Sequence, residues 1–415
     1  MTHVGTEYEN YLLKKKMSQI PVPTDDVDIM KMLRKVGEPI CLFGEDPSDR
    51  RERLKRVLAQ GIATDVFDEE EEISFIPKYD TGGNEISEMK KFLISFSIPR
   101  AHSRMQSEKQ IDQERINTTN QLGANFKDYL VTACDHADSR PLSSLDCRNN
   151  MFLIGSRSGN LSLWDFSNLS KICDFNDHSD RIIDAKFLTD DIIISSSADK
   201  TIRIWKSPES NSCIAMNSEI TSMDIHPSRK YIISGLSDGT FNVIDIERER
   251  IIVTMKSNDG SVTAVASHTD GGLVFCGGND SVGKLWDLRN CHAIKTMMGH
   301  SRQITCSSFD TGFHCITGSY DNTVIVWDLR NLTRSKKIGA HLAPISSVSI
   351  DNDLLMTSSV DQTIKIWSLL DFRVYSVLKN HNVPVLRAKF VEDDSKSILT
   401  VGKDGMWRLF THPIF

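Results

Sequence analysis

Residues 317–327 read Thr-Gly-Ser-Tyr-Asp-Asn-Thr-Val-Ile-Val-Trp, and three of these residues stand at separations that recur in the chain. Asp321 follows Thr317 by four residues, and Trp327 follows Asp321 by six. Two further stretches repeat this order at multiples of about 40 residues. They carry Ser195, Asp199 and Trp205, and Thr357, Asp361 and Trp367. Three residue types in a fixed order, three times, indicate a structural repeat.

A histidine lies 20 or 21 residues before each of these aspartates and completes the set, as His178, His300 and His341. A buried tryptophan needs an acceptor for its indole N–H, and a serine or threonine hydroxyl can accept that bond and donate another. The histidine then connects the hydroxyl to the aspartate. Because buried polar groups are tolerated only when their partners are present, each set predicts a hydrogen-bond relay that locks one four-stranded sheet.

Alignment on the aspartate gives seven units, so the sequence predicts an all-β fold, a seven-bladed WD40 β-propeller. The second, fifth and sixth units are complete. In the first, Ser158 replaces the aspartate; in the third, Ile244 replaces the tryptophan; in the fourth, Cys276 replaces the hydroxyl residue. The first and third units also lack the histidine, and we expect them to depend on packing alone.

The seventh unit places Phe410 where the tryptophan is expected, with Thr400 and His381 as the other members, and leaves Trp407 within the strand. We therefore expect this blade to lose only the indole end of its relay. The chain ends at Phe415, which leaves no room for a fourth strand after Phe410. The β-prone residues 129–132 are predicted to supply that strand and to close the ring.

Composition limits the classes of partner that the chain can bind. The 415 residues carry a formal net charge of −7, so any contact with nucleic acid must use a local basic patch. The nine cysteines include no C-x-x-C pair and are interpreted as reduced thiols. We find neither a secretory signal nor an apolar run long enough to span a membrane, and expect no contact with a membrane.

Catalytic motifs are missing from the sequence. It contains no G-x-S-x-G, no phosphate-binding G-x-x-x-x-G-K and no paired Cys/His spacing for a metal. The relays also account for the histidines that could otherwise be placed in a catalytic triad. We therefore expect no enzyme activity, no catalytic, cofactor-binding or metal-binding residues, no cofactor and no small-molecule substrate.

The residues before the ring are charged, helical and not repetitive. Helices are predicted from residue 25 to 36, from Pro47 to near Gly61 and from residue 85 to 96, with Pro99 interrupting the third before a polar helix that continues to about residue 117. These amphipathic helices either dock onto partners or pack against the propeller. The predicted domains are an N-terminal extension (1–24), a helical motif (25–61), an acidic linker (62–84), a helical segment (85–126) and the propeller (127–415).

Two segments of this helical region carry a resemblance. They are Gly37-Glu38-Pro39-Ile40, Leu42-Phe43-Gly44-Glu45 and Arg50-Arg51-Glu52-Arg53-Leu54 in the first, and Phe96-Ser97-Ile98-Pro99-Arg100-Ala101 in the second. Together with the propeller that follows, they resemble the WD-repeat subunit of the spliceosomal U4/U6 small nuclear ribonucleoprotein (snRNP), the pre-mRNA processing factor 4 family. The helical region then contains a splicing-factor motif.

The resemblance implies a non-catalytic scaffold of the U4/U6 snRNP and of the U4/U6.U5 tri-snRNP that acts in pre-mRNA splicing in the nucleus. It implies three partners: a splicing factor of the pre-mRNA processing factor 3 type, a cyclophilin-type prolyl isomerase and U4/U6 snRNA. It also implies partner-binding residues in the motif, which are Gly37, Glu38, Pro39, Phe43, Gly44, Glu45, Arg50, Arg51 and Arg53. Phe43 is either an anchor for a partner or a local core residue, and the arginines face either a partner or solvent.

On the ring, the residue before each blade aspartate is expected at the rim of one face. Tyr320 and Arg302 are candidate partner-binding residues there, alongside Arg181, Asn279, Val360 and Lys403. For any one of them taken alone, an ordinary exposed loop residue is the favoured interpretation. A WD40 substrate adaptor of a ubiquitin ligase, or a signalling scaffold, is the alternative function, because a fold alone does not determine function.

Overall fold

A computed structural model describes residues 26–35, 47–59, 83–125, 129–207, 210–331, 333–351, 354–369, 371–391 and 397–411. The chain divides into two compact units, residues 1–76 and 77–415. The point of division lies within the predicted acidic linker 62–84; the predicted domain boundaries themselves stay a prediction. The run of acids at 68–72 lies outside the described residues.

The first unit contains two helices that contact each other, α1 (Asp26–Lys35) and α2 (Pro47–Ala59). Pro47 opens α2, where its missing N–H costs no hydrogen bond. Ile29 and Leu33 of α1 and Leu54 of α2 are fully or almost fully buried. The pair thus forms a small apolar core from one face of each helix.

The second unit contains seven four-stranded antiparallel sheets, which confirms the predicted seven-bladed propeller. The first three blades have these strands: β2 (Leu142–Arg148), β3 (Met151–Ser156), β4 (Leu161–Asp165) and β5 (Lys171–Phe175) in blade 1; β6 (Ile182–Phe187), β7 (Ile193–Ser197), β8 (Thr201–Ser207) and β9 (Ser210–Ala215) in blade 2; β10 (Ile220–Ile225), β11 (Tyr231–Leu236), β12 (Thr240–Asp245) and β13 (Arg250–Lys256) in blade 3.

The remaining blades follow the same order from the innermost strand outward. They contain β14 (Val262–Ser267), β15 (Leu273–Gly278), β16 (Val282–Asp287) and β17 (His292–Met298) in blade 4; β18 (Ile304–Phe309), β19 (His314–Ser319), β20 (Thr323–Asp328) and β21 (Thr333–Gly339) in blade 5; β22 (Ile345–Asp351), β23 (Leu354–Ser359), β24 (Ile364–Ser368) and β25 (Val374–Leu378) in blade 6; β26 (Val385–Phe390), β27 (Ile398–Gly402) and β28 (Met406–Thr411) in blade 7.

Blade 7 takes its fourth strand from the residues before blade 1, as predicted. β1 (Leu130–His136) pairs antiparallel with β28, from Leu130 opposite Thr411 to His136 opposite Met406, with a bulge at Thr132. Gly405 makes this closure possible, because it has a φ of 75° and a Cβ built on it would lie 1.9 Å from the carbonyl oxygen of Asp138.

Side-chain hydroxyls tie the innermost strands of neighbouring blades together. At the second position of five of these strands, a serine or threonine donates to the backbone carbonyl at the start of the next blade; Thr305 to Ile345 is an example, at 2.7 Å. The other four bonds run from Ser143 to Ile182, Thr221 to Val262, Thr263 to Ile304 and Ser346 to Val385. The blades are therefore joined by polar bonds around the channel as well as by packing.

A long helix, α3 (Gly83–Asn125), packs on the propeller. It continues through Pro99, so the predicted interruption there is wrong. Met89 and Leu93 are buried in one core cluster with Tyr231 and Leu288, of blades 3 and 4. Arg104 forms an ion pair with Asp270 at 2.7 Å. Of the two alternatives for this helix, the structure has the one in which it packs against the ring.

Candidate functional site: relays and the upper face of the propeller

The relay of blade 5 runs from its tryptophan to its aspartate. The indole Nε1 of Trp327 donates to Thr317 Oγ1 at 3.0 Å, and Thr317 Oγ1 lies 2.8 Å from His300 Nε2. His300 Nδ1 lies 3.1 Å from Asp321 Oδ2, and Thr323 also donates its hydroxyl to Asp321. Because a carboxylate can only accept, His300 carries its proton on Nδ1 and donates it to Asp321. The Nε2 of the neutral ring is then the acceptor in its contact with the Thr317 hydroxyl.

Blades 2 and 6 repeat this geometry. His178 lies 2.8 Å from Ser195 Oγ and 2.9 Å from Asp199 Oδ2, and the Trp205 indole donates to Ser195. In blade 6, the bonds join Trp367 to Thr357, Thr357 to His341 and His341 to Asp361, at 3.0, 2.9 and 2.9 Å. The structure thus brings together the four residues of each complete set.

Burial sets the charge state of these relays. Burial lowers the pKa of His178, His300 and His341 below the ordinary value, although the neighbouring aspartates act in the opposite direction. Burial alone would raise the pKa of Asp321, but hydrogen bonds from Thr323 and from the Ser301 backbone outweigh it and hold that pKa well below the usual range. Each relay therefore pairs a neutral imidazole with a carboxylate.

Blade 7 completes its relay differently from the prediction. His381 Nε2 contacts Thr400 Oγ1 at 3.0 Å, but Arg408 donates to His381 Nδ1 at 2.8 Å and to Asp404 at 2.7 Å. The blade has thus lost its direct histidine–aspartate bond as well as its indole end. Burial, assisted by the Arg408 charge, lowers the pKa of His381 to about 4.

Trp407 lies in β28 and is fully buried at the junction of blades 7 and 1. Its ring packs against Trp164, with the centroids 5.6 Å apart, and against Phe152 at 5.1 Å. Its indole nitrogen has no hydrogen-bond partner among the described residues. It therefore contributes apolar packing to the closure of the ring, and no relay bond.

Blade 4 has two separate hydrogen bonds at the relay positions, which the sequence analysis missed. The Trp286 indole donates to Ser257 Oγ at 3.2 Å, and Asn258 Nδ2 donates to Asp280 at 3.0 Å. Asn258 occupies the place of the histidine, 22 residues before the aspartate. The spacing is present in the sequence, with an amide in place of the imidazole.

Blade 1 does not depend on packing alone, contrary to the prediction. Ser158, which replaces the aspartate, donates to Asp138 Oδ2 from the preceding loop and contacts Ser156 Oγ at 3.1 Å. The Trp164 indole finds its acceptor in Ser162, at 2.9 Å. In blade 3, Asp238 is bonded by the backbone N–H and hydroxyl of Thr240, at 2.9 and 2.6 Å.

The relay loops all lie on one face of the ring, which we call the upper face: it comprises the turn holding each blade aspartate and the loop entering each blade. In every blade, the residue before the aspartate position donates its N–H to the loop that enters the same blade; Tyr320 to Gln303 is an example. Arg302 and Tyr320 are both exposed, as are Arg181, Asn279, Val360 and Lys403. The structure places all six on this face.

The predicted residues of the N-terminal motif are described only in part. Gly37, Glu38, Pro39, Phe43, Gly44 and Glu45 lie outside the described residues. Arg50, Arg51 and Arg53 lie on α2, where Arg50 is buried and the other two are partly exposed. All three stay predicted partner-binding residues, and Arg51 and Arg53 are the more exposed of them.

Two absences hold for the residues that the structure describes. No group of three or more histidine, cysteine or acidic side chains there is arranged to hold a metal ion. No helix within those ranges has both the length and the apolar character that crossing a bilayer requires.

Family comparisons match separate parts of the chain. Residues 29–57, which contain most of α1 and most of α2, match the family "pre-mRNA processing factor 4 (PRP4) like". Residues 169–206 match "WD domain, G-beta repeat", and residues 222–406 match "Nucleolar protein 10-like, N-terminal domain".

Relatives with similar sequences include two PRP4 proteins and a PRP19 protein. "U4/U6 small nuclear ribonucleoprotein PRP4-like protein" of Arabidopsis thaliana is 28% identical over 48% of this chain and 40% of its own length. "U4/U6 small nuclear ribonucleoprotein Prp4" of Mus musculus is 28% identical over 41% of this chain and 35% of its own. "Pre-mRNA-processing factor 19 homolog 2" of Arabidopsis thaliana is 30% identical over 35% of this chain and 29% of its own. The chain thus matches half or less of the length of these three relatives.

Proposed function

We propose, from the relation of this chain to the WD-repeat subunit of the U4/U6 snRNP, the pre-mRNA processing factor 4 family, that it acts in pre-mRNA splicing as a non-catalytic scaffold. The observation that carries the proposal is the PRP4-like match at residues 29–57 in a chain that continues into a seven-bladed WD propeller. A propeller by itself serves many kinds of assembly, whereas this combination of parts is specific.

The chemistry of the ring supports a scaffold. The three buried histidines of the complete relays are bonded on both ring nitrogens, to a hydroxyl and to a carboxylate. They are therefore engaged in structure and have no nitrogen left to act as a general base. The same bonds hold the upper-face loops in place, which suits a surface that is recognised by other proteins.

The proposed context is the nucleus, within the U4/U6 snRNP and the U4/U6.U5 tri-snRNP. The proposed partners are a splicing factor of the pre-mRNA processing factor 3 type, a cyclophilin-type prolyl isomerase and U4/U6 snRNA. The proposed contact residues of the N-terminal motif are Gly37, Glu38, Pro39, Phe43, Gly44 and Glu45, with Arg50, Arg51 and Arg53. Tyr320 and Arg302 are proposed for the upper face.

Affinity purification of the tagged full chain from nuclear extract of its own organism tests the function. We expect U4 and U6 snRNA and splicing proteins to co-purify at a salt concentration that removes weakly bound RNA. Recovery of cullin or G-protein subunits without these components would overturn the proposal and favour a ubiquitin-ligase adaptor or a signalling scaffold.

A paired variant tests the motif within that experiment. Arg51→Glu combined with Arg53→Glu reverses two partly exposed charges and spares the buried Arg50. We expect it to reduce recovery of the U4/U6 components while the propeller keeps its melting temperature. The control is Arg373→Glu, which reverses a side chain that is 82% exposed on the propeller. If the wild-type chain, the double variant and the control recovered equal amounts of U4/U6 components, Arg51 and Arg53 would not be contact residues.

A further inference from the structure

Leu342 has an exposed side chain on a loop that is firmly held. The side chain is 93% exposed, more than any other large apolar residue among those described. Its backbone N–H donates to Asp361 Oδ2 at 3.2 Å, and its carbonyl oxygen accepts from Asn322 Nδ2 at 3.1 Å. The leucine is thus presented to solvent by a backbone that is fixed on both sides.

The matching positions in blades 2 and 5 show that the fold does not require a leucine there. The residue after the relay histidine is Ser179 in blade 2 and Ser301 in blade 5. Each donates its backbone N–H to the relay aspartate, at 3.2 and 3.1 Å, just as Leu342 does. Only the side chain differs, so an exposed leucine at this place points to contact with something outside the ring.

Two further apolar residues lie in the turns to which the Leu342 backbone is bonded. Tyr320 precedes Asn322 by two residues in the blade 5 turn, and Val360 directly precedes Asp361 in blade 6. The two hydrogen bonds of Leu342 therefore connect it to both turns, and Tyr320 and Val360 are 47% and 38% exposed. We call these three residues the blade 5–6 patch. The corresponding turn positions elsewhere carry no large apolar side chain; they are Arg157, Ala198, Ser237, Asn279 and Lys403.

Charge around the patch selects the chemistry of its occupant. Arg302 lies in the loop that enters blade 5, and Lys403 lies in the turn of blade 7. Exposed cations are therefore found on the blades at both ends of the patch. The Asp321 and Asp361 carboxylates nearby are almost buried and occupied by their relays. Exposed acids of the upper face lie instead on blades 2 to 4, at Asp177, Asp180, Glu219, Asp238, Asp259 and Asp280. A negatively charged segment is therefore favoured over blades 5 to 7.

We propose that the blade 5–6 patch binds a short acidic segment of a partner protein. The segment places aliphatic or aromatic side chains against Leu342, Tyr320 and Val360, and its carboxylates face Arg302 and Lys403. An apolar centre with a charged rim is the usual arrangement of a protein-binding site. This proposal deepens the docking role proposed above and rests on it.

Selection from a library of short random displayed peptides, with the purified full chain as bait, tests the patch. We expect enriched peptides that combine leucine or aromatic residues with aspartate or glutamate. Leu342→Ser should raise their Kd about tenfold or more, and Arg302→Glu should also weaken them. Leu130→Ser is the matched control, because it removes a leucine that is 58% exposed on β1 of blade 7; it should leave the Kd unchanged.

Three outcomes would overturn the proposal. They are the absence of any enriched peptide, enrichment of basic peptides, and binding that Leu342→Ser leaves intact. Sedimentation of the purified chain alone tests for self-association. If the chain forms a dimer and Leu342→Ser dissociates it, the patch binds a second copy of the chain, and the proposal is wrong. None of these results depends on co-purification with splicing components, so the patch and the splicing role can fail separately.

Discussion

In blade 5 the imidazole of His300 reaches the Asp321 carboxylate directly, whereas in blade 7 the guanidinium of Arg408 stands between His381 and Asp404. Both arrangements bond the histidine on its two nitrogens and give the aspartate a donor. The contrast teaches that the histidine and the aspartate can keep their hydrogen-bond partners while the residues that supply those partners change. Removing members of each set tests that conclusion.

The largest effect is expected from Asp321→Ala in blade 5. The carboxylate accepts from His300, from the Ser301 backbone and from Thr323, and its loss leaves a buried imidazole N–H unpaired. The free energy of unfolding should fall by about 3 kcal/mol, as measured by chemical denaturation. Asp174→Ala, which removes a partly exposed carboxylate on β5, is the control and should change it by less than about 0.5 kcal/mol. Equal losses for both would refute the relay.

Arg408→Met in blade 7 is expected to have the next largest effect. It removes the donor that joins His381 to Asp404 and should cost about 2 kcal/mol. The matched control is Arg203→Met, at the same strand position two residues before Trp205 in blade 2, where the histidine already contacts its aspartate. The control should cost less than half as much. If the two variants were equally stable, Arg408 would not be a member of the relay.

The next prediction concerns the loss of unfolding free energy that His381 of blade 7 causes on acidification, which should be smaller than the two effects above. His381 has an ordinary pKa of 6.5 when unfolded and about 4 when folded, so the unfolded chain takes up its proton first. Stability is therefore intact above about pH 6.5 and falls as the pH drops toward 4. Between pH 7.5 and 5.5 this histidine should contribute a loss of about 1 kcal/mol.

His381→Asn isolates that contribution, because blade 4 already uses Asn258 in the histidine position. The variant should show a flatter dependence of unfolding free energy on pH in that window, although it retains the slope from His178, His300 and His341. An unchanged slope would show that His381 is not the group responsible.

The smallest effect concerns the two kinds of buried tryptophan. Trp205 donates its indole N–H to Ser195, whereas Trp407 has no partner among the described residues. Both changes to phenylalanine remove similar volume, but only Trp205→Phe breaks a hydrogen bond. It should destabilise the chain by about 1 kcal/mol more than Trp407→Phe does. Equal melting temperatures for the two variants would argue that the indole bond contributes nothing.

The sequence was most informative where one local rule repeats. The four-residue and six-residue spacings around Asp321 determine a turn and a strand, so blade number and ring closure followed from them. The substitutions in blades 4 and 7 were missed, because Asn258 and Arg408 act through side-chain contacts with loop and turn residues that spacing alone does not describe. The exposed Leu342 was missed for a related reason: a leucine after a relay histidine looks like any core residue until its solvent exposure is known.

Helix α3 shows a different limit. Its apolar stripe was recognised, but a stripe does not say whether the surface it covers belongs to the same chain. Met89 and Leu93 pack into the core of blades 3 and 4, and Arg104 pairs with Asp270. Pro99 was expected to end the helix, but its ring is accommodated within it, as happens where packing and ion pairs on both sides hold the flanking turns.

The pairing of β1 with β28, which completes blade 7, has a consequence for the synthesis of the protein. Leu130 pairs with Thr411, so β1 leaves the ribosome first among the described strands while its partner β28 leaves last. The ring stays open throughout translation, and closure joins two segments at opposite ends of the nascent propeller. Pairings between residues so distant in sequence form slowly and leave strand edges free to aggregate in the meantime. Yield in the cell should therefore depend on chaperones that protect those edges until the last strand arrives.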